Sequence, residues 1–168
     1  MEWKSHLAGG LIAAAIGMAV IRGTGPLEMV DAFAWTSLFS VIPCVPDIFS
    51  RHFRTPLTHS LFVPLAVFLF IALLAILPTP DLYGLISLEG AFFAALGLAS
   101  HTLLDSFTSA GAPLLYPLVG RRHLHFPWFG PRMRYEDGIS HNTLQAVAVI
   151  VCAVALLIEL IGRLTGSL

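Results

Sequence analysis

Five long apolar segments, most of them bounded by prolines or glycines, constrain this chain more than any other feature. They run over residues 7–21, 28–45, 58–77, 88–107 and 142–161. The first is short, and the other four are close to the roughly 20 mostly apolar residues that a helix needs to cross a bilayer. Prolines and glycines break helices, and they mark most of the boundaries between the segments. The pattern predicts an all-α, polytopic membrane helix bundle with about five transmembrane helices.

The composition supports a membrane protein and excludes other classes. Hydrophobic residues make up 57% of the chain and charged residues 11%, whereas soluble domains carry about 25% charged residues. The length of 168 residues suits one domain, residues 1–168. The net charge of -1 says little about partners, and no basic run suggests nucleic-acid binding. Cys44 and Cys152 lie in apolar segments without a CxxC pattern, which predicts small buried hydrophobes rather than metal ligands.

The basic residues predict the orientation of the bundle. One side of the alternating segments carries seven of them, Lys4, Arg51, Arg54, Arg121, Arg122, Arg132 and Arg134, and the other side carries Arg22 and Arg163. Cytoplasmic loops of membrane proteins are enriched in lysine and arginine. We therefore expect a cytoplasmic N-terminus and a multi-pass protein of the cytoplasmic (inner) membrane of a prokaryote.

Metal-type side chains collect at the predicted cytoplasmic ends of the helices. His6 opens the first helix, Asp47 closes the second, His59 opens the third, and His101 and Asp105 lie in the last turns of the fourth. Such groups are costly near hydrocarbon, so a convergent set indicates a functional site. Residues four apart on a helix share a face, which lets His101 and Asp105 hold one metal. Nitrogen and oxygen ligands predict Zn²⁺, Mn²⁺ or Fe²⁺, with His6 reaching a second ion and Asp105 bridging.

Simpler interpretations of the same residues remain open. A histidine at a membrane interface is often only solvated or hydrogen-bonded. His101 and Asp105 can form an ion pair that caps the helix end. Asp47 follows Pro46 and can be a turn residue or the N-cap of a short helix.

Several short motifs, in order along the chain, carry a family resemblance. They are Ser5-His6, Pro46-Asp47-Ile48, Thr58-His59-Ser60-Leu61, the run from His101 to Thr108, Gly111 and Leu115-Tyr116-Pro117. The chain resembles the membrane-bound metal-dependent hydrolases, the group related to the bacterial LexA-regulated membrane hydrolase, from about residue 5 to residue 117. The ligand order is also similar to that of zinc-dependent phospholipase C and P1 nuclease. That similarity implies one metal held by Asp47, His59, His101 and Asp105, and another that touches His6 and Asp105.

Further candidates flank these motifs. Members of the resembled family often have a glutamate near the start of the last helix, which makes Glu136 and His141 possible additional ligands. Arg51 and Arg54 lie in the short loop beside two predicted ligands, where they are placed to bind a phosphate.

The leading hypothesis for function is a membrane-embedded metal-dependent hydrolase. One to three divalent ions, zinc or manganese, would activate water, and Asp47 or Asp105 would orient the water or accept its proton. A site at the membrane surface favours an amphiphilic phosphoester, such as a lipid or a lipid-linked precursor. Rival hypotheses are a divalent-metal transporter and a non-catalytic membrane module with a structural metal. The oligomeric state has no signature in the sequence.

Overall fold

The chain folds into a bundle of helices. The computed structural model describes residues 3–21, 26–49, 55–56, 58–77, 87–125 and 138–165. Within these ranges there are six helices: α1 (Trp3–Val20), α2 (Pro26–Val41), α3 (Cys44–Phe49), α4 (Phe62–Ile76), α5 (Leu88–Ser106) and α6 (Gly138–Thr165). In the same ranges Ala112 and Leu124 form an isolated β-bridge, and there is no β-strand. The prediction of an all-α chain is confirmed.

The end of the second predicted helix is wrong. α2 ends at Val41, the chain turns at residues 42–43, and the short helix α3 follows. Proline lacks a backbone N–H and disfavours the α conformation of the residue before it, so Pro43 ends α2. Asp47 consequently lies inside α3 and does not close α2.

The start of the third predicted helix is also wrong. The backbone N–H groups of Thr58 and His59 donate to the carbonyl of Thr55, at 3.1 and 3.2 Å, and that of Leu61 donates to the carbonyl of Leu114, at 3.0 Å. These bonds hold a turn, and α4 begins only after it. His59 therefore lies in the turn before α4 instead of in the first turn of a helix.

The first and last helices begin earlier than predicted. α1 begins at Trp3 and α6 at Gly138, so His6 and His141 each lie in the first turn of their helix. α6 is 28 residues long and extends beyond both predicted ends. The predicted fourth helix agrees with α5 to within one residue.

α5 is the central helix of the bundle. It packs against α1, α2 and α4, and α1 packs in addition against α2 and α6. Glycine allows α5 to approach α2 closely: a Cβ atom at Gly97 would lie 3.1 Å from the backbone nitrogen of Ser40 and would also collide with the carbonyl oxygen of Thr36. Small residues at helix contacts are typical of membrane bundles, where they let backbones approach each other.

Large apolar side chains cover the outward surfaces of α4 and α6. The exposed ones include Leu65, Leu69, Phe70, Leu73 and Ile76 on α4 and Val149, Ile150, Leu157 and Ile158 on α6. Two stretches, Trp3–Val20 and Ile139–Ile158, are long and apolar enough to cross a membrane, and Phe62–Ile76 is a shorter apolar helix. An apolar exterior around buried polar groups reverses the usual tendency of a water-soluble protein.

The segment that follows α5 is tied back to the turn that carries His59. Ala112 and Leu124 exchange backbone hydrogen bonds of 2.9 and 2.7 Å. Gly111 has a φ of 68°, and a Cβ atom there would lie 2.7 Å from the carbonyl oxygen of Leu124, so glycine suits this position in both respects. The hydroxyl of Ser60 donates to the carbonyl of Tyr116, which links the segment to the turn.

Candidate metal centre

Four side chains from three parts of the chain converge at one end of the bundle. The Nε2 atoms of His59 and His101 lie 3.2 and 3.5 Å from Oδ2 of Asp105. The Nε2 atom of His6 lies 3.5 Å from the other oxygen, Oδ1. Nε2 of His59 and Nε2 of His101 are 3.2 Å apart. α1, the turn before α4 and the last turns of α5 thus present three imidazoles to one carboxylate.

These four side chains are almost completely buried. The exposed fraction is 2% for His6, 0% for His59 and His101, and 1% for Asp105. An isolated carboxylate is expensive to bury, and in proteins such groups are paired or bind a metal. The burial of Asp105 among three imidazoles therefore calls for a proton or a metal ion between these groups.

A backbone carbonyl orients the His101 ring. Nδ1 of His101 lies 2.8 Å from the carbonyl oxygen of Ser40, in the last turns of α2. Because a carbonyl only accepts, the bond places a proton on Nδ1, and in the neutral ring Nε2 then carries a lone pair. Metal-binding histidines usually donate their other ring N–H in this way.

Threonines orient the His59 ring similarly. Nδ1 of His59 lies 2.8 Å from the hydroxyl of Thr58 and 3.2 Å from the carbonyl of Thr55. The hydroxyl of Thr58 also lies 3.3 Å from that carbonyl, to which it donates. The carbonyl is an acceptor, so the arrangement favours a proton on Nδ1 of His59 and a lone pair on Nε2.

His6 stacks on His101 instead of facing it edge to edge. The ring centroids are 3.8 Å apart and the planes differ by 21°. The His59 and His101 rings are tilted by 54°, with centroids 5.0 Å apart. His6 therefore occupies a separate position beside the pair formed by His59 and His101.

Cys44 lies next to this cluster, and its position there was not predicted from the sequence. Both Cys44 and Cys152 are partly buried rather than fully buried. Cys44, a ring nitrogen of His6 and a ring nitrogen of His101 offer ligand atoms that all lie within 4.8 Å of one another. This position of Cys44 has no signal in the sequence, because no second cysteine or histidine stands near it in the chain.

His141 lies beside the centre, in contact with the neighbour of His6. Nδ1 of His141 and the hydroxyl of Ser5 are 2.7 Å apart, and both side chains are buried. This bond joins the first turn of α6 to the first turn of α1. The structure thus gives His141 a partner in Ser5, and its role as an additional ligand stays a prediction.

Other predicted site residues lie outside the described part of the structure. This applies to Arg51, Arg54 and Glu136, and to the side chain of Asp47, whose backbone lies in α3. Their predicted roles as substrate-binding residues, additional ligand and metal or catalytic carboxylate stay predictions. Asp31 and Glu89, near the starts of α2 and α5, are exposed at the opposite end of the bundle.

The geometry suits a metal ion. His59, His101 and Asp105 offer ligand atoms within 4.8 Å of one another, and all three are buried. Two Nε2 lone pairs that face each other at 3.2 Å repel unless a cation, a proton or a metal ion, lies between them. Imidazole and carboxylate ligands suit borderline divalent ions.

Comparison with known proteins identifies the family. The family model described as "YdjM inner membrane protein" matches residues 1–165. Neither a curated protein nor a solved structure matches the chain. The family match confirms the prediction of a polytopic membrane helix bundle. It also confirms one part of the resemblance noted in the sequence, that of an inner membrane protein of the LexA-regulated type. The chain belongs to the YdjM inner membrane protein family.

Proposed function

We propose that the protein is a metal-dependent hydrolase embedded in the inner membrane, which cleaves a phosphoester of a lipid or lipid-linked substrate. The observation that carries the proposal is the convergence of three buried imidazoles on the carboxylate of Asp105, at 3.2 to 3.5 Å. Such a cluster is rare among apolar helices, where ionisable groups mark functional sites.

The two oxygens of Asp105 divide the cluster into two positions. His59 and His101 approach Oδ2, and His6 approaches Oδ1. A carboxylate that serves both sides can bridge two ions, which in phosphoesterases lie about 3.5–4 Å apart. We infer a site for one or two ions, zinc or manganese, with Asp47 as a further ligand or proton acceptor.

The side chains would divide the chemical work. Divalent ions supply Lewis acidity, which lowers the pKa of water and neutralises phosphoryl charge. Ser40 and Thr58 hold the His101 and His59 rings with their Nε2 atoms inward. Asp105 compensates the positive charge of the site and, with Asp47, orients the attacking water.

The position of the centre favours a substrate that stays in the membrane. The first turns of α1 and α6 and the last turns of α5 surround it, so it lies near one end of the bundle. We infer that this end faces the cytoplasm, because the order of the segments along the sequence assigns most of the basic residues to this side. Arg121 and Arg122 are exposed in the segment after α5, where they suit an anionic headgroup. Arg51 and Arg54 are the proposed phosphate ligands.

Metal content tests the site itself. We would measure it in detergent-purified protein by inductively coupled plasma mass spectrometry, for wild type, His59→Ala and Asp105→Ala, with Asp31→Ala as the control at the opposite end. We expect about one to two equivalents of zinc or manganese in wild type and the control. We expect metal to be lost in the two site variants without loss of helix content. A wild type that takes up neither ion would show that the imidazoles share only protons.

A substrate screen tests the reaction. Phospholipids and polyprenyl phosphates in mixed micelles would be assayed for phosphate or phosphoester release by loaded wild type and Asp105→Ala. Turnover in wild type that the variant lacks would support hydrolysis. Metal-loaded protein that turns over none of these substrates would count against it.

A structural metal is the second candidate, and the complete burial of His59 and His101 favours it. A structural site is closed, with protein ligands only, and contributes directly to folding. Removing metal with a chelator would then lower the melting temperature strongly. A hydrolase with the same ligands would lose turnover while most of its thermal stability remained.

A further inference from the structure

We propose that the turn formed by residues 115–122 is a membrane anchor. It inserts Leu118 and Val119 between the lipids of one leaflet and binds anionic phospholipid headgroups through Arg121 and Arg122. The partner is the bulk phospholipid that surrounds the protein. The proposal goes beyond the proposed function, because it requires neither a metal ion nor turnover.

The tip of the 115–122 turn has an apolar part and a basic part. Leu118 is 75% exposed and Val119 is 41% exposed. Arg121 and Arg122 follow and are exposed as well, and neither forms an ion pair with a residue that the structure describes. Apolar side chains beside cations are typical of segments that lie in the headgroup region, where the lipid phosphates are negative.

The base of the turn lies beside the apolar outward surface of α4. The backbone N–H of Leu61 donates to the carbonyl of Leu114, at 3.0 Å. Standard backbone dimensions then keep the Cα atoms of the next residues, Phe62 and Leu115, within about 11 Å of each other. Both of these side chains are exposed, and Phe62 is the first residue of α4. The apolar surface of α4 therefore reaches the 115–122 turn.

A tryptophan marks the headgroup level at the same end of the bundle. His6 in α1 and His59 before α4 both approach the carboxylate of Asp105, so the starts of α1 and α4 lie at one level. Trp3 and Lys4, in the first turn of α1, are exposed. Tryptophan is enriched at the interface between membrane and water. The base of the 115–122 turn, which is bonded to the start of α4, therefore lies within reach of the lipid phosphates.

Hydrogen bonds give the turn a fixed shape. The backbone N–H of Gly120 donates to the carbonyl of Pro117, at 3.2 Å, and Gly120 has a φ of 65°, which suits glycine. At the base, the hydroxyl of Ser60 donates to the carbonyl of Tyr116. A preformed turn loses little conformational entropy when it binds lipid. Because Ser60 directly follows His59, the anchor also fixes the turn that carries His59 relative to the leaflet.

The depth of residue 118 tests the insertion. The fluorophore NBD would be attached to Leu118→Cys in the full chain, with Cys44→Ser and Cys152→Ser, in nanodiscs of phosphatidylglycerol and phosphatidylcholine. The matched control is a label at Glu89→Cys, an exposed acidic position at the other end of the bundle. Dithionite attacks NBD from water, so it should reduce the label at residue 118 at least about tenfold more slowly than the control label. Equal rates would overturn the insertion.

Lipid selectivity tests the two arginines and needs no cysteine variant. Native mass spectrometry of the full chain in detergent would give dissociation constants for phosphatidylglycerol and phosphatidylcholine. Each arginine near an anionic surface is worth about fivefold in affinity, so Arg121→Gln with Arg122→Gln should reduce the preference for phosphatidylglycerol roughly 25-fold. Arg121→Lys with Arg122→Lys is the charge-matched control and should keep most of the preference. An unchanged preference in the glutamine variant would overturn the headgroup site.

The outcomes separate this proposal from the proposed function. Neither measurement uses added metal or substrate, so a failure of the anchor leaves the metal centre and the hydrolysis intact. A protein that binds no metal and cleaves no lipid would still show slow reduction at residue 118 and selectivity for phosphatidylglycerol. Slow reduction without that selectivity in wild type would overturn the anionic partner.

Discussion

α5 and α6 are both long helices of the same membrane protein, yet they have opposite surroundings. α5 buries glycine and alanine along its length and ends in the buried residues His101 and Asp105. α6 exposes large apolar side chains, and only 11% of its most apolar stretch is buried inside the bundle. Hydrophobicity alone therefore does not tell which helix is central.

Residue size and polarity make the difference. Lipid tails are as apolar as leucine, so large apolar side chains lose little by facing them. Small residues permit close backbone contact, as Gly97 does against α2, and ionisable groups need partners that the bundle interior supplies. The central helix is recognised by the glycines and by the histidine and aspartate that it buries, whereas in α6 glycine and histidine occur only near the two ends of the helix.

Removing the charge of Asp105 should have the largest effect. Asp105→Asn keeps the size of the side chain and removes the carboxylate that three imidazoles approach. Metal affinity should fall more than about 1,000-fold, which exceeds the loss of about 10- to 100-fold that is typical when a group that only hydrogen-bonds to a metal ligand is removed. Competition with a chelator of known affinity measures the change. Asp31→Asn at the other end should bind as wild type does; a similar loss in both would point to a general electrostatic effect.

A charge on the outward face of α6 should come next. Ile150→Lys places a lysine at an exposed, central position of the helix, where it costs about 2.5–3.5 kcal/mol of insertion free energy. The fraction of protein recovered in membranes should drop. Ile139→Lys, at the exposed start of α6, is the control and should insert normally. Normal recovery of Ile150→Lys would show that this face does not meet lipid.

A methyl group in the contact between α5 and α2 should have an intermediate effect. Gly97→Ala forces the helices apart, because the new Cβ atom meets backbone atoms of Thr36 and Ser40. We expect a loss of about 1–3 kcal/mol in the free energy of unfolding. Thermal unfolding in detergent measures it, with Ala153→Leu on the exposed side of α6 as the control. Equal stability of the two variants would contradict the close packing of α5.

Loss of one hydrogen bond to a proposed metal ligand should have the smallest effect. Thr58→Val removes the hydroxyl 2.8 Å from Nδ1 of His59 and leaves the Thr55 carbonyl in place. Metal affinity should fall about tenfold, which is the low end of the range for groups that hydrogen-bond to a metal ligand without binding the metal. Thr143→Val on α6 makes the same change at an exposed threonine that bonds its own helix, and it should leave affinity unchanged. An unaltered affinity in Thr58→Val would show that Thr55 alone orients the ring.

The fold could largely be predicted, because the apolar segments and their breaks have strong local signals. Details that depend on contacts could not. His59 lies in a turn because the Thr55 carbonyl accepts two backbone bonds there and Leu61 bonds to Leu114, more than 50 residues away. The second segment was predicted to run to residue 45, so the short helix that begins at Cys44 was not predicted.

The convergence at the centre could be predicted in part. Alternation of the helices places His6, His59, His101 and Asp105 at one end, and the structure brings these four together. The bond from His101 to the Ser40 carbonyl has no signal in the sequence, because every residue has a carbonyl. Ser5 and His141, which are 136 residues apart, meet only because α1 and α6 pack together.

The sequence by itself determined the all-helical architecture, the apolar exterior and the end of the bundle where ionisable side chains collect. Periodic composition and helix-breaking residues act locally, so these three features can be derived from a single amino-acid sequence. Only the tertiary structure decided that Asp105 divides its two oxygens between His6 and the other two histidines, and that Cys44 lies beside them. Those arrangements depend on distances between helices, which packing at residues such as Gly97 sets and local sequence does not encode.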